Sequence, residues 1–425
     1  MKIVYLIAGT GSYYCGTCMR DYALVQGMRE AGHSVEVLPM YLPLVLENDE
    51  MKDSPIYVGG INAYLQVKCA LFRYTPLWFD RLFDQQWLLR KVAGKADMTS
   101  PKDLGKTSLE ILRGEAGATR KSLKQLLREL VKLNPQVLCI SNALLSGLAK
   151  SIKKALPDTR IIVSLHGEDT FLDSLPEPFK QECWSELKAC IQHVDLFVPV
   201  SEYYKGIMQE RLDMPDSKLI MVHNGIDLSG FDENKDLNNR ENKLGFLTQL
   251  IYGKGLIDLV EAFIKLKKRQ KIDGLSLAIA GARVPGSQKV IDEAQSLVQE
   301  AGLEADFSIQ TNLTRNEKIE FLQSLKVLSV PATYGESFGL YVLEALAAGA
   351  AVVQPNHAAF PELIKATNGG LLYAPNDQDD HCEKLESIFL DDSMRCEMAG
   401  QGRRHVFQYF SQSAMTANFL KAIES

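Results

Sequence analysis

Short apolar runs alternate with amphipathic stretches along most of this chain, and few folds accommodate such an alternation. The segment CMRDYALVQGMREAG has apolar residues at helical spacing and ends at Gly32, which favours a helix that stops there. Short strands alternating with helices are typical of a parallel sheet with helices on both faces, so we predict an α/β fold. The runs of the first series are KIVYLIAG, SVEVLPM, QVLCIS, RIIVSLHG, LFVPVS and LIMVHNG.

The alternation stops and then restarts, which indicates two domains. A polar stretch over residues 229–243 has no core pattern and is predicted to be a linker. We predict Rossmann-like domains over residues 1–228 and 244–405, and a C-terminal helix over 406–425 that can pack across to the first domain. A chain of 425 residues has room for two domains of ordinary size. The runs of the second series are LGFLTQL, LSLAIAG, ADFSIQT, VLSVPAT and AAVVQPN.

An insertion at about residues 40–130 interrupts the first series. Its central part, residues 56–95, is rich in aromatic and basic residues. One interpretation is a helical cover over the core of the first domain, because aromatic residues at helical spacing are usually buried. The alternative is a surface that contacts a second substrate or the face of a membrane. The basic residues of this part are Lys68, Arg73, Arg81, Arg90, Lys91 and Lys95.

The composition of the chain argues against some classes of binding partner. Hydrophobic residues make up 46% of the chain and charged residues 24%, which is typical of a globular protein with a large core. The formal net charge of −6 argues against nucleic acid as the main partner, since no strongly basic field covers the chain. No apolar run reaches the roughly 18 residues that indicate a transmembrane helix, so none is expected.

The N-terminus and the cysteines bear on the compartment. The segment MKIVYLIAGTG lacks a small-residue cleavage site and is interpreted as a first strand rather than a signal peptide. The eight cysteines show no framework spacing, so we expect a reduced, cytoplasmic protein, with attachment to the cytoplasmic face of a membrane as the open alternative. Cys15 and Cys18 form a lone C-x-x-C without a second ligand pair and are interpreted as structural.

Two glutamates lie around the start of a predicted helix in the segment YGESFGLYVLEALAAG. Glu336 follows the buried strand VLSVPAT, Glu344 lies inside the apolar helix, and Ser337 is a candidate cap for a helix that begins near Phe338 or Gly339. Unpaired N–H groups at such a helix start suit a phosphate. The unit is therefore predicted to bind a phosphate through backbone, a ribose diol through Glu344 and a sugar hydroxyl through Glu336. An ordinary strand–helix turn with two surface glutamates is the alternative.

This segment resembles the E-x7-E signature of the retaining GT-B glycosyltransferases of the large family four, group 1 type. Further segments resemble motifs of that family in the same order, and together they cover nearly the whole chain except about residues 40–130. The family has two Rossmann-like domains whose parallel sheets face each other across a cleft, and the resemblance implies that fold here. The matching segments are REAGHSVEVL, SLHG, HNGID, YGKGLIDLVEAF, LAIAG, FPELI and NGGLLYAPND.

The resemblance also implies roles for single residues. Glu336 would contact the transferred sugar, Glu344 would hold the ribose, and Lys254 would neutralise the diphosphate that leaves as the glycosidic bond breaks. His166 would lie near the sugar, although a histidine in a loop is by itself more often structural. Gly16 would let the backbone of the first loop approach the phosphates. The donor would also contact the helix start at Ser337, Phe338, Gly339 and Leu340.

Two positions depart from the family pattern. Gln249 stands where the family usually has an arginine, five residues before Lys254, and an amide lacks both the charge and the bidentate fork of a guanidinium. Cys15 and Gly16 stand where the family has two glycines near the N-terminus. Arg283, which follows a predicted strand end, is the candidate cation that replaces the missing arginine at the donor.

The resemblance implies transfer of a sugar from a nucleotide-diphosphate sugar, a co-substrate, with retention of configuration and without a metal or another cofactor. The acceptor would be a sugar, a lipid or a small metabolite. A non-catalytic nucleotide-sugar-binding protein is the alternative, supported by Gln249. A Rossmann oxidoreductase is disfavoured, because GTGSYYCG lacks the G-x-G-x-x-G spacing and no acidic residue ends the second strand.

Overall fold

A computed structural model describes residues 1–9, 16–40, 60–75, 101–233, 236–238 and 240–425 of the chain. These residues form two compact units. Unit 1 consists of Met1–His223 together with Thr416–Ser425, and unit 2 consists of Asn224–Met415. Each unit has one parallel sheet with helices around it.

Among the described residues, unit 1 has a parallel sheet of five strands in the order β2-β1-β3-β4-β5. Its strands are β1 (Lys2–Ile7), β2 (Ser34–Pro39), β3 (Val137–Ile140), β4 (Arg160–Leu165) and β5 (Leu196–Pro199). Its helices are α1 (Gly16–Glu30), α2 (Gly60–Lys68), α3 (Pro101–Leu112), α4 (Arg120–Leu133), α5 (Ala149–Ala155), α6 (Glu168–Ser174), α7 (Phe179–Cys190) and α8 (Glu202–Leu212). The central strand β1 pairs Lys2 with Ser34 of β2 and Ile3 with Val137 of β3.

Unit 2 has a parallel sheet of six strands within its described residues, in the order β11-β10-β9-β6-β7-β8. Its strands are β6 (Lys243–Leu247), β7 (Ser276–Gly281), β8 (Phe307–Thr311), β9 (Val327–Ser329), β10 (Ala351–Pro355) and β11 (Gly370–Tyr373). Its helices are α9 (Leu256–Arg269), α10 (Ser287–Glu300), α11 (Arg315–Ser324), α12 (Leu340–Ala347), α13 (Phe360–Thr367), α14 (Gln378–Leu390) and α15 (Asp392–Tyr409). The last helix, α16 (Gln412–Glu424), begins in unit 2 and continues into unit 1.

Burial explains why the apolar runs are strands of parallel sheets. Ile3 to Ile7 of β1 are all fully buried, because helices cover both faces of the sheet and leave no face for polar side chains. The predicted α/β fold, with a parallel sheet in each half of the chain, is confirmed. Helix α1 ends at Glu30, and Gly32 has a left-handed backbone, as its position after the predicted helix requires.

One predicted strand is wrong. The run LIMVHNG does not form a regular strand. Leu219 makes an isolated β-bridge with Phe197 of β5. The backbone N–H of Ile220 and that of Val222 still donate to carbonyls of β5, at 3.1 and 3.0 Å. The segment therefore follows the edge of the sheet, but the regular ladder ends with β5.

The predicted insertion is described only in part. Residues 41–59 and 76–100, and with them Arg81, Arg90, Lys91 and Lys95, lie outside the described residues. Lys68 forms an ion pair with Asp103 of α3, and Arg73 donates to the carbonyl of Gln66 at 2.8 Å. Leu71 and Tyr74 expose most of their side chains. Membrane contact by this segment stays a prediction.

None of the helices in the described part of the chain is both long and apolar enough to cross a membrane.

Arginine side chains hold the end of helix α12. Arg240 donates through Nη2 to the carbonyl of Ala348 at 2.6 Å, and Arg403 donates to the same carbonyl at 3.4 Å. The last carbonyls of a helix lack partners within the helix and carry partial negative charge, so cations stabilise them. The two arginines therefore fix the C-terminal end of a helix of only eight residues.

Candidate functional site

The candidate site of unit 2 lies where the order of strands changes direction. The chain runs from β6 to β7 and β8 on one side, and then returns to β9 on the other side of β6. Crevices at the carboxyl ends of strands beside such a switch point are the usual ligand sites of open α/β sheets. The segment after β6 carries Lys254, and the segment after β9 carries Glu336. The topology therefore brings these two predicted residues to neighbouring strand ends.

Lys254 is held in place by its own backbone. It ends a short 3-10 helix, Tyr252–Lys254, and its side chain is almost completely buried. The next residue, Gly255, has φ of 75°, and a Cβ atom there would lie 1.9 Å from the carbonyl oxygen of Pro331. Only glycine fits this left-handed turn against the segment that follows β9. The close approach of the two segments thus determines where the ammonium group lies.

Lys254 and Glu336 form an ion pair between Nζ and Oε2. The hydroxyl of Tyr341 donates to the same carboxylate oxygen at 3.1 Å. The ammonium group also lies over the rings of Tyr334 and Tyr341, 4.7 and 5.5 Å from their centroids. Burial is the largest single effect on the pKa of Lys254 and lowers it, but the charge of Glu336, together with Tyr334 and the hydrogen bonds to both side chains, raises the pKa overall. Lys254 is therefore a fixed cation at neutral pH.

Helix α12 starts next to this ion pair. Its N-cap is Gly339, with φ of 96° and no capping side chain, so the predicted cap at Ser337 is wrong and the helix begins at Leu340. Gly339 adopts a left-handed backbone that disfavours any residue with a Cβ atom. Ser337 and Phe338 are buried. In the first turn of α12 the N–H of Val342 donates to the carbonyl of Gly339 at 3.0 Å, and the N–H groups of Leu340 and Tyr341 precede the first hydrogen bond of the helix, which leaves partial positive charge near Glu336 and Lys254.

Glu344 is not a surface glutamate with a free side chain. Its Oε1 accepts a hydrogen bond from Nζ of Lys318, on α11, at 2.7 Å. The carboxylate is partly buried and thus has a set orientation, and its second oxygen can accept from a ligand. The structure therefore fixes Glu344 near the middle of α12, about one turn beyond the helix start. Its binding of a ribose stays a prediction.

Gln249 and Arg283 follow the ends of the neighbouring strands β6 and β7. The side-chain amide of Gln249 makes no hydrogen bond to a described residue. Arg283 is exposed and donates through Nη2 to Gln288 of α10. The structure places Arg283 on the same edge of the sheet as Lys254, but brings no contact between Arg283 and the Lys254–Glu336 pair.

Arg283→Ala is expected to weaken binding of a nucleotide diphosphate about three- to tenfold. Arg283 forms no ion pair with a described residue, so its charge is available to an added anion. Titration calorimetry with the nucleotide that binds best measures this effect at two salt concentrations. Lys289→Ala is the matched control, because Lys289 is an exposed cation on the same helix as Gln288. If the Arg283 variant and the unchanged protein bind the nucleotide with equal affinity, Arg283 does not contribute to the donor site.

The candidate residue of unit 1, His166, lies in a loop that a buried glutamate holds. The loop follows β4, and Oε2 of Glu168 accepts from the backbone N–H groups of His166 and Gly167, at 2.9 and 3.0 Å. The same oxygen accepts from the hydroxyl of Tyr204 at 2.8 Å, and Oε1 accepts from the N–H of Ala143 at 2.9 Å. Glu168 thus accepts hydrogen bonds from the backbone of two loops and fixes the backbone of His166.

His166 lies beside a buried ion pair. Its Nε2 is 3.8 Å from Oδ1 of Asp21, which accepts from Nη1 of Arg20 and from the hydroxyl of Tyr5, both at 2.9 Å. Burial raises the pKa of Asp21 to about 6, although Arg20 acts in the opposite direction. Burial, with the positive charge of Arg20, lowers the pKa of His166 well below its usual value. At neutral pH the imidazole is therefore neutral and the carboxylate is charged.

Gly16 is the first residue of α1 and is exposed. Helix α1 follows β1, which neighbours β3 at the switch point of the first sheet. Cys15 lies outside the described residues, so its predicted structural role has no observation here. Cys18 is buried in α1. Contact between Gly16 and a phosphate stays a prediction.

Sequence reasoning missed the partners of the predicted residues. Tyr334 and Tyr341 surround Lys254, and Glu168 holds the loop of His166. A signal for the buried ion pair was available, since Arg20 and Asp21 interrupt the apolar face of a helix that packs on a sheet. In the part of the chain that the structure describes, no three His, Cys, Asp or Glu side chains are grouped as metal ligands.

Two family models match the chain in succession. The model of Glycosyltransferase Family 4 matches residues 107–229, and the model of Glycosyl transferases group 1 matches residues 231–405. Lys254, Glu336 and Glu344 lie in the second match, and His166 lies in the first.

Curated relatives resemble about half of the chain. A D-inositol 3-phosphate glycosyltransferase of Corynebacterium jeikeium is 24% identical over 238 residues, 53% of this chain and 57% of that protein. A phosphatidyl-myo-inositol mannosyltransferase of Mycolicibacterium smegmatis is 26% identical over 217 residues, 49% of this chain and 52% of that protein. The matched regions thus span less than two thirds of these relatives.

Solved structures resemble the whole chain in fold. Anabaena HepE, solved in complex with UDP, has a TM-score of 0.68 and 14% identity, with 100% of both chains covered. Sucrose-phosphate synthase of Thermosynechococcus elongatus has a TM-score of 0.70 and 15% identity, with 100% of this chain and 98% of that chain covered. At these identities the likeness establishes the fold alone.

Proposed function

The chain belongs to glycosyltransferase family four, of the group 1, GT-B type, and from this premise we propose that it moves a sugar from a nucleotide-diphosphate sugar to an acceptor hydroxyl. We further propose that the transfer retains the anomeric configuration and needs no metal. The acceptor is a sugar, a lipid or a small metabolite.

The observation that carries the proposal is the buried pair of Lys254 and Glu336 beside the start of α12. A buried ion pair adds little net stability, because the cost of removing both charges from water offsets their attraction. Perturbed, buried charges at the carboxyl edge of a parallel sheet are typical of functional sites. The pair also has the two signs that a nucleotide sugar needs, a cation for the diphosphate and a carboxylate for sugar hydroxyls.

In the proposed reaction, the group that most needs stabilisation is the leaving diphosphate. As the bond between the anomeric carbon and the diphosphate oxygen breaks, the diphosphate gains negative charge. Lys254 and the N–H groups of Leu340 and Tyr341 at the start of α12 are fixed donors for that charge. The acceptor oxygen forms the new bond on the same face, and its proton passes to the departing phosphate oxygen, so no protein nucleophile is needed. Glu336 holds the sugar, and Glu344 holds the ribose.

His166 and Gly16 of unit 1 are proposed to contact the sugar and the phosphates. The neutral state of His166 supports this assignment, because a neutral imidazole accepts as well as donates hydrogen bonds and matches a sugar hydroxyl. The solved relative HepE binds UDP, which supports a nucleotide diphosphate as the class of ligand for this fold.

A thermal-shift panel with UDP, GDP, ADP and their sugars tests the donor class. We expect one nucleotide to raise the melting temperature by about 5–10 °C at a concentration of about 100 Kd, since binding to the folded state alone adds about 2.7 kcal/mol. Inorganic pyrophosphate is the control, because it separates recognition of the base from attraction of the charge. If no nucleotide shifts the melting temperature at millimolar concentration, the donor assignment is wrong.

A non-catalytic nucleotide-sugar-binding protein is the second candidate. Gln249 supports it, because an amide in place of the family arginine removes one cation from the diphosphate. Incubation of the chain with the donor that binds best, with and without a panel of acceptors, separates the two candidates. Release of the nucleotide, by transfer or by slow hydrolysis, favours the enzyme. Tight donor binding without any release favours the binding protein.

A further inference from the structure

The turn after β10 holds a residue in a backbone conformation that its type disfavours. Ala358 has φ of 56°, in the left-handed region. The other non-glycine residues with positive φ in the described part of the chain are Asn, Asp or Gln. Alanine has neither the freedom of glycine nor a polar side chain for a local hydrogen bond, so contacts around the turn must impose this conformation. Residues held in this way are frequent at ligand sites, and this turn lies at the carboxyl edge of the sheet of unit 2.

Two hydrogen bonds run from this turn to the segment that carries Glu336. Nε2 of His357 lies 2.9 Å from the carbonyl oxygen of Ala332, and the backbone N–H of Ala359 donates to the carbonyl of Glu336 at 3.2 Å. Because a carbonyl oxygen can only accept, Nε2 must carry the proton of the ring. The two donors lie on either side of the left-handed residue and reach the first and the last residue of the segment from Ala332 to Glu336. The unusual turn therefore directs both donors to one segment.

The same segment is also held from its other side. Strand β9 lies between β10 and β6 in the sheet, so the segment after β9 lies between the turn of His357 and the loop of Lys254. The backbone N–H of Thr333 donates to the carbonyl of Gly253 at 3.0 Å, next to Lys254. Glu336 stands at the end of this segment and pairs with Lys254. The position of the carboxylate relative to the ammonium group thus depends on hydrogen bonds from both neighbours.

We propose that His357 is a positioning residue: its Nε2–H, together with the N–H of Ala359, fixes the segment after β9 so that the carboxylate of Glu336 stays between Lys254 and the transferred sugar. His357 needs no contact with the donor for this role. The proposal rests on the proposed function for the sugar only. The fixing of the segment is a property of the ligand-free protein and can be measured without any donor.

The chain contains a matched histidine for comparison. Nδ1 of His405, on α15, lies 2.9 Å from the carbonyl oxygen of Thr367, the last residue of α13. Its ring is 5.8 Å from the ring of Tyr409, as the ring of His357 is 6.1 Å from that of Phe360. The two histidines thus make the same kind of bond in unit 2, one before the start of α13 and one at its end. Loss of either bond should cost similar stability, but only one bond holds Glu336.

Hydrogen–deuterium exchange of the ligand-free protein tests the fixing of the segment. His357→Phe keeps a ring against Phe360 and removes the donor to Ala332. The amides of Thr333 and Ala359 are expected to exchange at least about tenfold faster in this variant, because the bonds that protect them open more often. His357→Gln, whose amide N–H can reach the same carbonyl, is expected to restore most of the protection. His405→Phe should speed exchange at the end of α13 alone.

Steady-state kinetics test the consequence for turnover. His357→Phe is expected to lower kcat about ten- to thirtyfold, because a displaced carboxylate no longer holds the sugar in the reactive position. The donor KM should change less than about threefold, since Lys254 and the start of α12 still bind the diphosphate. His357→Gln should recover most of kcat, and His405→Phe should leave kcat unchanged at a temperature where every variant is folded.

His357→Asn covers the case in which His357→Phe does not fold. It carries the same amide as the glutamine variant on a side chain one methylene shorter, so the donor no longer reaches Ala332, and the same losses are expected. Normal exchange at Thr333 and Ala359 with normal kcat would overturn the proposal, as would an equal loss of kcat in His405→Phe. A protein whose segment is loosened by the variants but that transfers no sugar supports the positioning and contradicts the proposed function instead.

Discussion

Glu336→Gln is expected to lower kcat by about two to three orders of magnitude. Glutamine has nearly the same shape, so the loop after β9 should keep its course, but it accepts hydrogen bonds more weakly than a carboxylate. The sugar would lose the acceptor that is proposed to hold its hydroxyls while the glycosidic bond breaks. Positioning groups of this kind commonly contribute such factors, because a small misplacement of the reacting atoms costs about 10²-fold.

The same substitution also changes Lys254. Its ammonium group would stay buried without a negative partner, and removal of one partner from a buried ion pair destabilises a protein by about 3–5 kcal/mol. The rings of Tyr334 and Tyr341 offset part of this cost, since cation–π contacts persist without the carboxylate. We therefore expect a clear decrease in melting temperature together with the loss of turnover, and kcat must be compared at a temperature where the variant is folded.

Initial rates of nucleotide release, measured with the donor and acceptor identified by the panel, check this prediction. Glu320→Gln is the matched control, because Glu320 is an exposed glutamate of the same unit and should leave both rate and melting temperature unchanged. A Glu336 variant with more than about a tenth of the normal kcat would show that the carboxylate takes no direct part in holding the sugar.

Lys254→Met is the second substitution with a large expected effect. It should lower kcat/KM for the donor by about 10²–10³-fold and weaken binding of the free nucleotide diphosphate. Lys254 is the buried cation at the strand ends of unit 2, and the raised pKa keeps it charged throughout the neutral range. Methionine has a similar length and no charge, so the main change is the loss of the positive group that is proposed to face the leaving diphosphate.

The comparison with arginine sharpens this test. Lys254→Arg keeps the charge, but it replaces the compact ammonium group over the rings of Tyr334 and Tyr341 by a larger planar fork. We expect partial recovery of nucleotide affinity and poor recovery of kcat. Calorimetry with the nucleotide diphosphate and initial rates give the two quantities, and Lys289→Met serves as the exposed control. Undiminished diphosphate affinity in Lys254→Met would exclude a direct contact.

The sequence was sufficient for the sheets but not for the contacts between distant residues. Buried parallel strands require continuous apolar runs, so β1 and β6 could be predicted from local pattern. The strand predicted at LIMVHNG failed because an apolar run at the edge of a sheet has the same local pattern as a paired strand. The helix start after Glu336 was displaced, because a left-handed glycine at residue 339 took the place that a serine cap usually has.

In the candidate site too, single residues could be predicted from the sequence but the contacts between them could not. Lys254 and Glu336 were found through motifs, and their ion pair could not be, since residues 82 positions apart meet only through the strand order. The cluster of Tyr5, Arg20 and Asp21 beside His166 depends on contacts among β1, α1 and the loop after β4. No local pattern encodes such contacts. Their one sequence signal is a pair of opposite charges inside an otherwise buried helix face.

The arginines at the far end of α12 have a consequence for how the chain tolerates change. Arg240 lies within the stretch that the sequence assigns to a linker, where substitutions are ordinarily harmless. Its guanidinium nevertheless anchors the helix whose opposite tip is proposed to meet the donor. A helix of two turns is not stable by itself, so the position of its N-terminal end depends on the contacts that hold its C-terminal end. A substitution of Arg240 is therefore expected to disturb the proposed donor site through the far end of α12.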